Sequence, residues 1–294
     1  MARLALDIGG TKIAAGLVAE GGTVPEPSIT PTPTSGVWDA CATLLREVAA
    51  DATITSVGIA CAGPVDSTGG RVSPINIDEW SAGFGLVDAV RDLFPDARTR
   101  LAMDGAAAAL GEHRHGAGRG TSDLVSLVVS TGIGGGVVLG GRIATGRTGN
   151  AGHIGHLVVP GGTEACTCGG VGCLETVASG PAAVRWARSQ GWHGTTGIDI
   201  AASAVSGDPV AVAALDRAGT ALGVAIASAA ALLDIDLAVV GGGFAQAGPG
   251  LWQPLRAAAA RHARLTFVSD LRVVPAELGA SGTLVGAGVL ALDS

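Results

Sequence analysis

The hydrophobic pattern of the chain predicts strands and helices that alternate along it. Short, continuous apolar runs bounded by glycine, proline or polar residues are typical of buried strands. Such runs lie at residues 4–8, 13–18, 54–60, 124–129, 137–139 and 237–240, and a further strand is predicted at 98–103, directly before Asp104. Helical spacing or alanine richness predicts helices over residues 37–50, 105–113, 209–233 and 283–292. This order of elements indicates an α/β fold.

One local pattern occurs twice. In each copy an apolar strand runs into a glycine-rich turn and then into a second strand, with the turns at residues 9–11 and 130–136. Such self-similarity predicts a duplicated α/β domain. We expect a first domain over residues 1–113 and 283–294, to which the last helix returns, and a second domain over 114–282 that carries a zinc-binding loop.

Charge and cysteine content limit the classes of function. The formal net charge is -7, whereas nucleic acids and anionic membrane surfaces are bound by clustered Lys and Arg. Arg3 and Asp7 interrupt the first apolar run, which excludes a signal peptide. The uncharged run at 218–233 is shorter than the roughly 20 residues that a membrane span needs. We therefore expect a cytoplasmic protein that binds neither nucleic acid nor membrane.

The amino-terminal turn combines groups that suit a phosphate. Its sequence is Asp7-Ile8-Gly9-Gly10-Thr11-Lys12, and Lys12 is the only lysine among 18 basic residues. The two glycines leave room for phosphate oxygens to approach the backbone closely. The Thr11 hydroxyl, the Asp7 carboxylate and the Lys12 ammonium are groups that suit phosphate and Mg²⁺. A glycine-turn hairpin with no ligand is the alternative. The glycines at 131–136 and 241–243 offer further room for a nucleotide, although glycine loops are common in ordinary turns.

A metal site is predicted in the second half of the chain. His156 is followed by Cys166, Cys168 and Cys173, with glycines between the last two. Four protein ligands imply a closed, structural zinc site, because a catalytic zinc keeps one position open. Reduced thiols without a metal are the alternative, and Cys41 and Cys61 are expected to be buried free thiols.

These motifs resemble the ROK family of sugar kinases and sugar-responsive repressors. The matching segments are residues 7–12, 62–66, 130–136, Gly155-His156 and the cysteine run that ends at Glu175. The resemblance implies a two-domain, actin-like (hexokinase/RNase H-like) ATPase fold with an interdomain cleft, use of ATP and Mg²⁺, a structural Zn²⁺, and a homodimer.

The resemblance also implies roles for individual residues. Asp104 resembles the catalytic base of the family, although a helix N-cap is a compatible alternative. Gly63, Asn76, His156 and Glu175 match its sugar-contacting positions, while Asn76 could equally be a turn residue and Glu175 a surface carboxylate. The positions matched to nucleotide binding are Asp7, Gly9, Gly10, Thr11, Lys12, Thr131, Gly132, Gly241 and Gly242.

Two positions depart from the family pattern where sugar contacts are expected. The chain has Met103 where the family usually has Asn, and His153 where it usually has Glu. These changes predict a lost polar contact and rewired recognition of hydroxyl groups. Three outcomes stay open: an amino- or acylamino-sugar substrate, a glucose kinase with compensating contacts, or a protein that binds sugar but phosphorylates it poorly. His153 as a fifth metal ligand is a minor alternative.

The predicted function is therefore an ATP-dependent phosphotransferase that acts on the 6-hydroxyl of a hexose or an amino- or acylamino-hexose. The rival is a catalytically poor sugar sensor of the same family. The sequence leaves open which sugar is used and whether polyphosphate replaces ATP. Family repressors carry a basic DNA-binding segment ahead of the Asp7 motif, and the acidic composition here argues against such a role.

Overall fold

The computed structural model describes residues 1–292. Its strands are β1 (Ala2–Ile8), β2 (Lys12–Leu17), β3 (Ser28–Pro31), β4 (Ile54–Cys61), β5 (Val65–Asp66), β6 (Arg71–Val72), β7 (Arg98–Met103), β8 (Leu124–Val129), β9 (Ile133–Leu139), β10 (Arg142–Ile143), β11 (Leu237–Gly241) and β12 (Arg272–Pro275). Its α-helices are α1 (Val37–Ala49), α2 (Leu86–Leu93), α3 (Asp104–His115), α4 (Leu174–Ala178), α5 (Gly180–Ser189), α6 (Gly197–Val205), α7 (Pro209–Leu233), α8 (Pro249–His262) and α9 (Gly282–Leu290).

Two five-stranded sheets repeat one strand order. The first has the order β3-β2-β1-β4-β7 and the second β10-β9-β8-β11-β12. In the first sheet β1 pairs antiparallel with β2 and parallel with β4, and β4 pairs parallel with β7. In the second sheet β11 lies parallel to both β8 and β12. The duplicated α/β pattern expected from the sequence is confirmed.

The chain divides into two compact units. The first comprises residues 1–120, 136–152 and 280–294, and the second residues 121–135 and 153–279. The expected domain bounds differ, since residues 114–120, 136–152 and 280–282 were placed in the second domain. The place of residues 136–152 in the first unit follows from a paired contact: the Asn150 amide accepts a hydrogen bond from the Val65 N–H (2.9 Å) and donates one to the Val65 carbonyl (2.6 Å).

Side-chain size along β1 determines what packs on each face of the first sheet. Leu4, Leu6 and Ile8 point to one face and join the core that also holds Leu44 and Leu45 of α1. On the other face, Ala5 packs with Ala60 of β4 and with Leu284 and Ala287 of α9. Successive side chains of a strand alternate between faces, so Asp7 lies on the face of the small residues. The expected return of the last helix to the first sheet is thus observed.

Helix α7 is the long apolar helix of the second unit, and its expected bounds of 209–233 are confirmed. By length and composition it is the one helix of the described residues that could cross a membrane, yet 61% of its most apolar stretch is buried inside the protein. Its small residues pack against α8 at close range, as Gly219 and Gly223 do against the backbone of Leu251 and Leu255. This is the pattern of a core helix.

The second glycine-rich turn is shorter than expected. Residues 130–136 were predicted as a loop, but β9 begins at Ile133, so Gly134, Gly135 and Gly136 are strand residues. The backbone N–H groups that the loop itself can offer a ligand are therefore those of Thr131 and Gly132, because the Ser130 N–H donates to the Gly132 carbonyl (2.9 Å). Glycine has a low strand propensity, which is why sequence reasoning missed this part of the strand. The prediction that the whole run presents free N–H groups was wrong.

Candidate active site

The phosphate-loop candidate is the tight turn between β1 and β2. The Gly9 N–H donates to the Lys12 carbonyl (3.0 Å), which closes the turn, and Ile8 pairs with Ile13 across the hairpin. The Thr32 hydroxyl donates to the Gly9 carbonyl at 2.6 Å. Thr32 lies in the Pro/Thr-rich stretch of residues 23–35. Nothing in the sequence distinguished Thr32 from the other threonines of that stretch. The result is a braced loop with the Thr11 side chain exposed.

Asp7 and Asp104 form a pair of carboxyl groups in the first unit, of which Asp7 is buried and Asp104 is half-buried. Asp7 lies in β1 and is 8% exposed, and Asp104 is the first residue of α3, directly after β7. Burial, reinforced by the negative charge of Asp104 and opposed by Lys12, raises the pKa of Asp7 to about 7. Burial also raises the pKa of Asp104, an effect that the hydrogen bond from the Gly105 N–H (2.7 Å) partly offsets.

Parallel pairing explains why these two carboxyl groups are neighbours. Asp7 is level with Ala60 in β4, and Cys61 of β4 is level with Met103 in β7. The carboxyl ends of these parallel strands therefore lie at one edge of the sheet, where functional side chains collect in α/β folds. The N-cap position of α3 is occupied by Met103 and not by Asp104. Asp104 therefore does not act as the N-cap of this helix.

Asn76 and Gly63 adjoin the phosphate-loop candidate. A side chain at Gly10 would lie 2.8 Å from the Asn76 amide, so the two residues are in direct proximity. The Gly63 carbonyl accepts a hydrogen bond from Ile75, the residue before Asn76, at 3.3 Å. Asn76 itself is exposed. The first unit thus brings together the predicted base, the phosphate loop and two predicted sugar contacts.

Met103 does not line this site. It is 1% exposed and belongs to the hydrophobic core of the first unit. Its side chain therefore presents almost no surface to a ligand. The expectation that Met103 faces the sugar was wrong, because the alternation of β7 directs this side chain into the core.

In the second unit, Glu175 is fixed to the turn between β8 and β9. One oxygen of the Glu175 carboxylate (Oε2) accepts a hydrogen bond from the Ile133 N–H at 2.7 Å. A side chain at Gly132 would lie 2.5 Å from the same oxygen and would displace the Glu175 carboxylate. Thr131 is exposed at the tip of the turn. Nothing in the sequence indicated this contact, which joins a predicted sugar residue to the turn that holds the predicted nucleotide residues.

His153 and His156 of the second unit lie next to each other. Their ring centroids are 5.7 Å apart. Burial and the neighbouring His156 lower the pKa of His153, while the charge of Glu175 opposes that shift. Gly155 between them packs so tightly on the Ile133 carbonyl that a side chain would lie 1.9 Å from it. His153, His156 and Glu175 therefore form one cluster around the start of β9.

The four predicted zinc ligands converge. The ligand atoms of His156, Cys166, Cys168 and Cys173 all lie within 4.8 Å of one another. Nδ1 of His156 is 3.7 Å from Sγ of Cys166, and Sγ of Cys168 is 3.7 Å from Sγ of Cys173. With Zn–S bonds of about 2.3 Å, tetrahedral geometry places neighbouring sulfurs about 3.8 Å apart. The donor set and its spacing thus fit a zinc ion.

The third glycine loop lies at the carboxyl end of β11. Gly241 ends that strand, and Gly242 follows with a φ of 94°, in the left-handed region that favours glycine. A side chain at Gly242 would also lie 2.3 Å from the Val129 carbonyl at the end of β8. Parallel pairing of β8 with β11 thus brings residues 131–132 and 241–242 to one edge of the second sheet.

The repeated strand order and the site residues at the strand ends define an actin-like, two-domain ATPase of the sugar-kinase type. The family model for "ROK family" matches residues 3–294, and the chain belongs to the ROK family.

Similar proteins include kinases of hexoses and amino-sugars. A glucokinase of Streptomyces coelicolor is 34% identical over 99% of this chain and 97% of its own. A kanosamine kinase of Amycolatopsis mediterranei is 33% identical over 98% of this chain and 95% of its own. A ROK-family glucokinase of Streptomyces griseus, solved in complex with glucose and AMPPNP, is 33% identical, covers 99% of both chains and superposes with a TM-score of 0.81.

Proposed function

We propose that this chain is an ATP-dependent sugar kinase that transfers the γ-phosphoryl group of ATP to the primary 6-hydroxyl of a hexose or an amino- or acylamino-hexose. The observation that carries the proposal is the half-buried Asp104 carboxyl, directly after β7 in a chain of the ROK family. The pKa of Asp104 is raised above its ordinary value, which makes the Asp104 carboxylate a stronger base near neutral pH.

Asp104 is assigned as the general base. Its carboxylate takes the proton of the sugar hydroxyl as the hydroxyl oxygen bonds to the γ-phosphorus. The bond from that phosphorus to the bridging oxygen of ADP breaks in the same transfer, so ADP leaves with the bond's electron pair. The Gly105 N–H, 2.7 Å from Oδ1, fixes the orientation of the carboxylate. The negative charges of Asp7 and Asp104 repel each other. Burial and this repulsion raise the pKa of Asp7, so its carboxyl group tends to stay protonated while Asp104 is ionised.

The phosphates are assigned to the loop from Gly9 to Lys12. Its backbone is braced by Thr32 and offers the Thr11 hydroxyl and the Lys12 ammonium. Thr131, Gly132, Gly241 and Gly242 are assigned to the nucleotide. Mg²⁺, which neutralises phosphate charge in such transfers, would be oriented by Asp7 through water.

The sugar is assigned to Gly63, Asn76, His153, His156 and Glu175. If Nδ1 of His156 faces the metal, as its distance to Cys166 favours, Nε2–H is left to donate to a sugar hydroxyl. Glu175 keeps one carboxylate oxygen for the Ile133 N–H, and the other is available to accept from a hydroxyl. A structural zinc on His156 and the three cysteines would hold that imidazole in place.

His153 is the position that we expect to set sugar preference, because Met103 is in the core. A neutral imidazole both donates and accepts, whereas the usual carboxylate only accepts. Similarity to both a glucokinase and a kanosamine kinase supports a substrate of the hexose or amino-hexose class.

The test is ADP release measured across hexoses, amino-sugars and N-acyl-sugars, for the natural protein and for Asp104→Asn. We expect turnover on at least one sugar and a loss of roughly 10²- to 10⁴-fold in kcat in the variant. The exposed Asp96→Asn serves as the matched control and should be unaffected. A variant that keeps a tenth or more of the activity would overturn the assignment of Asp104.

The rival function is a sugar sensor with poor catalysis. It predicts no turnover on any sugar while calorimetry still detects binding of one of them. We also propose that the protein is a cytoplasmic homodimer and that it uses ATP and not polyphosphate. Sedimentation tests the dimer, and comparing the rates of sugar phosphorylation with the two phosphoryl donors tests the choice of donor.

A further inference from the structure

One cavity of the first unit lies away from every residue assigned to catalysis. It has a volume of about 730 Å³ and runs along residues 99–102 of β7. Strand β7 is the last strand of its sheet, so this side of it has no neighbouring strand. A volume of this size is typical of sites for small molecules. None of the proposed catalytic, sugar, nucleotide or metal residues lines it.

Four arginines from four different elements line the cavity. Arg91 comes from α2, Arg100 from β7, Arg114 from α3 and Arg142 from β10. Within residues 1–292 no Asp or Glu lines it, although acidic residues outnumber basic ones in the chain by 25 to 18. A basic concavity on an acidic protein focuses positive potential and attracts anions.

Two of these guanidinium groups are available to a ligand. Arg114 and Arg142 are exposed, and neither has an ion pair or hydrogen bond within residues 1–292. Arg91 pairs only with the exposed Asp88 at 3.3 Å, a contact of the weak surface kind. Planar guanidinium groups suit phosphate oxygens, which they bind through paired hydrogen bonds.

Hydroxyl groups and an apolar surface complete the lining. Ser67, Thr68 and Thr145 add hydroxyls. The Thr99 hydroxyl is buried in the wall and has no hydrogen-bond partner within residues 1–292. Apolar side chains, among them Leu101, form the rest of the lining. The surface thus combines anion-binding groups with room for an uncharged portion.

We propose that this arginine-lined cavity is a second ligand site, which binds a small molecule with two or more phosphate charges. The ligand's phosphates contact Arg114 and Arg142, and its remaining atoms lie over the apolar lining. This inference is independent of the proposed kinase activity, because the site shares no residue with it.

The test is calorimetric titration at 150 mM salt with two probes. Tripolyphosphate represents an inorganic phosphate chain, and fructose 1,6-bisphosphate represents a sugar phosphate. We expect at least one to bind, and the double variant Arg114→Gln/Arg142→Gln to weaken it roughly tenfold or more, because charge-assisted hydrogen bonds are lost. The probe that binds identifies the source of the phosphate. Arg142→Glu, a single reversal of charge on β10, is a second variant and should abolish binding.

Two controls separate this site from others. Arg188→Gln/Arg261→Gln changes the charge equally at exposed positions of the second unit and should leave binding intact. Lys12→Ala removes the lysine of the phosphate-loop candidate and should leave intact the binding that Arg114→Gln/Arg142→Gln weakens. Binding of neither probe, equal binding by the arginine variants, or loss of binding in Lys12→Ala would each overturn the proposal.

Discussion

Replacing Asp7 by Asn should stabilise the ligand-free protein at alkaline pH while it impairs catalysis. Asp7 is 8% exposed, and burial together with the charge of Asp104 raises its pKa to about 7 from an ordinary 3.8. Asn has nearly the same shape and carries no charge. The substitution therefore removes the cost of holding a carboxylate in this site and leaves the packing in place.

The sign of the effect follows from proton binding. Between the two pKa values the folded chain binds more protons at Asp7 than the unfolded chain does, so the stability of the folded state falls as the pH rises. The neutral carboxyl costs nothing below about pH 4, and the full penalty is present once the pH exceeds about 7. A gap between 3.8 and about 7 corresponds to roughly 4 kcal/mol, of which about 2–3 kcal/mol develops between pH 5 and pH 8.

The assay is urea unfolding of the natural protein and Asp7→Asn at pH 5 and pH 8, without nucleotide. We expect the free energy of unfolding of the variant to exceed that of the natural protein by about 2–3 kcal/mol more at pH 8 than at pH 5. The exposed Asp96→Asn is the control and should show no such dependence. A variant that gains nothing at pH 8, or gains equally at both pH values, would refute the burial argument.

Three further predictions concern the second unit and the core. Glu175→Ala should cost about 1–3 kcal/mol in thermal unfolding and lower activity, because the Ile133 N–H loses its acceptor; Glu175→Gln should recover the stability alone, and equal losses in both variants would contradict this. His153→Glu should raise kcat/KM for glucose relative to amino-sugars, whereas Met103→Asn should leave that ratio unchanged and lower stability by about 1–3 kcal/mol, since it buries an amide in the core. Metal analysis should find one zinc per chain, and Cys173→Ser or a strong chelator should remove it and lower the melting temperature; an unchanged melting temperature without metal would exclude a structural role.

Local patterns predicted the regular elements well where packing agrees with them. The bounds of β7, β8 and α7 match the expected residues, because continuous apolar runs and an alanine-rich helix have few alternatives. Strand β3 was missed because its residues are mostly exposed, so it has no hydrophobic signature. Strand β9 was begun too late because glycine favours turns in isolation, while pairing within a sheet overrides that preference.

The sequence by itself determined the chemistry available to this protein: a lone lysine beside glycines, a carboxylate at a strand-to-helix junction, and four zinc ligands within a short segment. Residue types and short spacings fix such features. Only the tertiary structure decided which distant residues meet. Parallel pairing brought Asp7 to Asp104, the Ile133 N–H tied down Glu175, and strand alternation sent Met103 into the core. Four arginines far apart in sequence came to line one cavity for the same reason: contacts across a sheet depend on register and packing, which no short segment specifies.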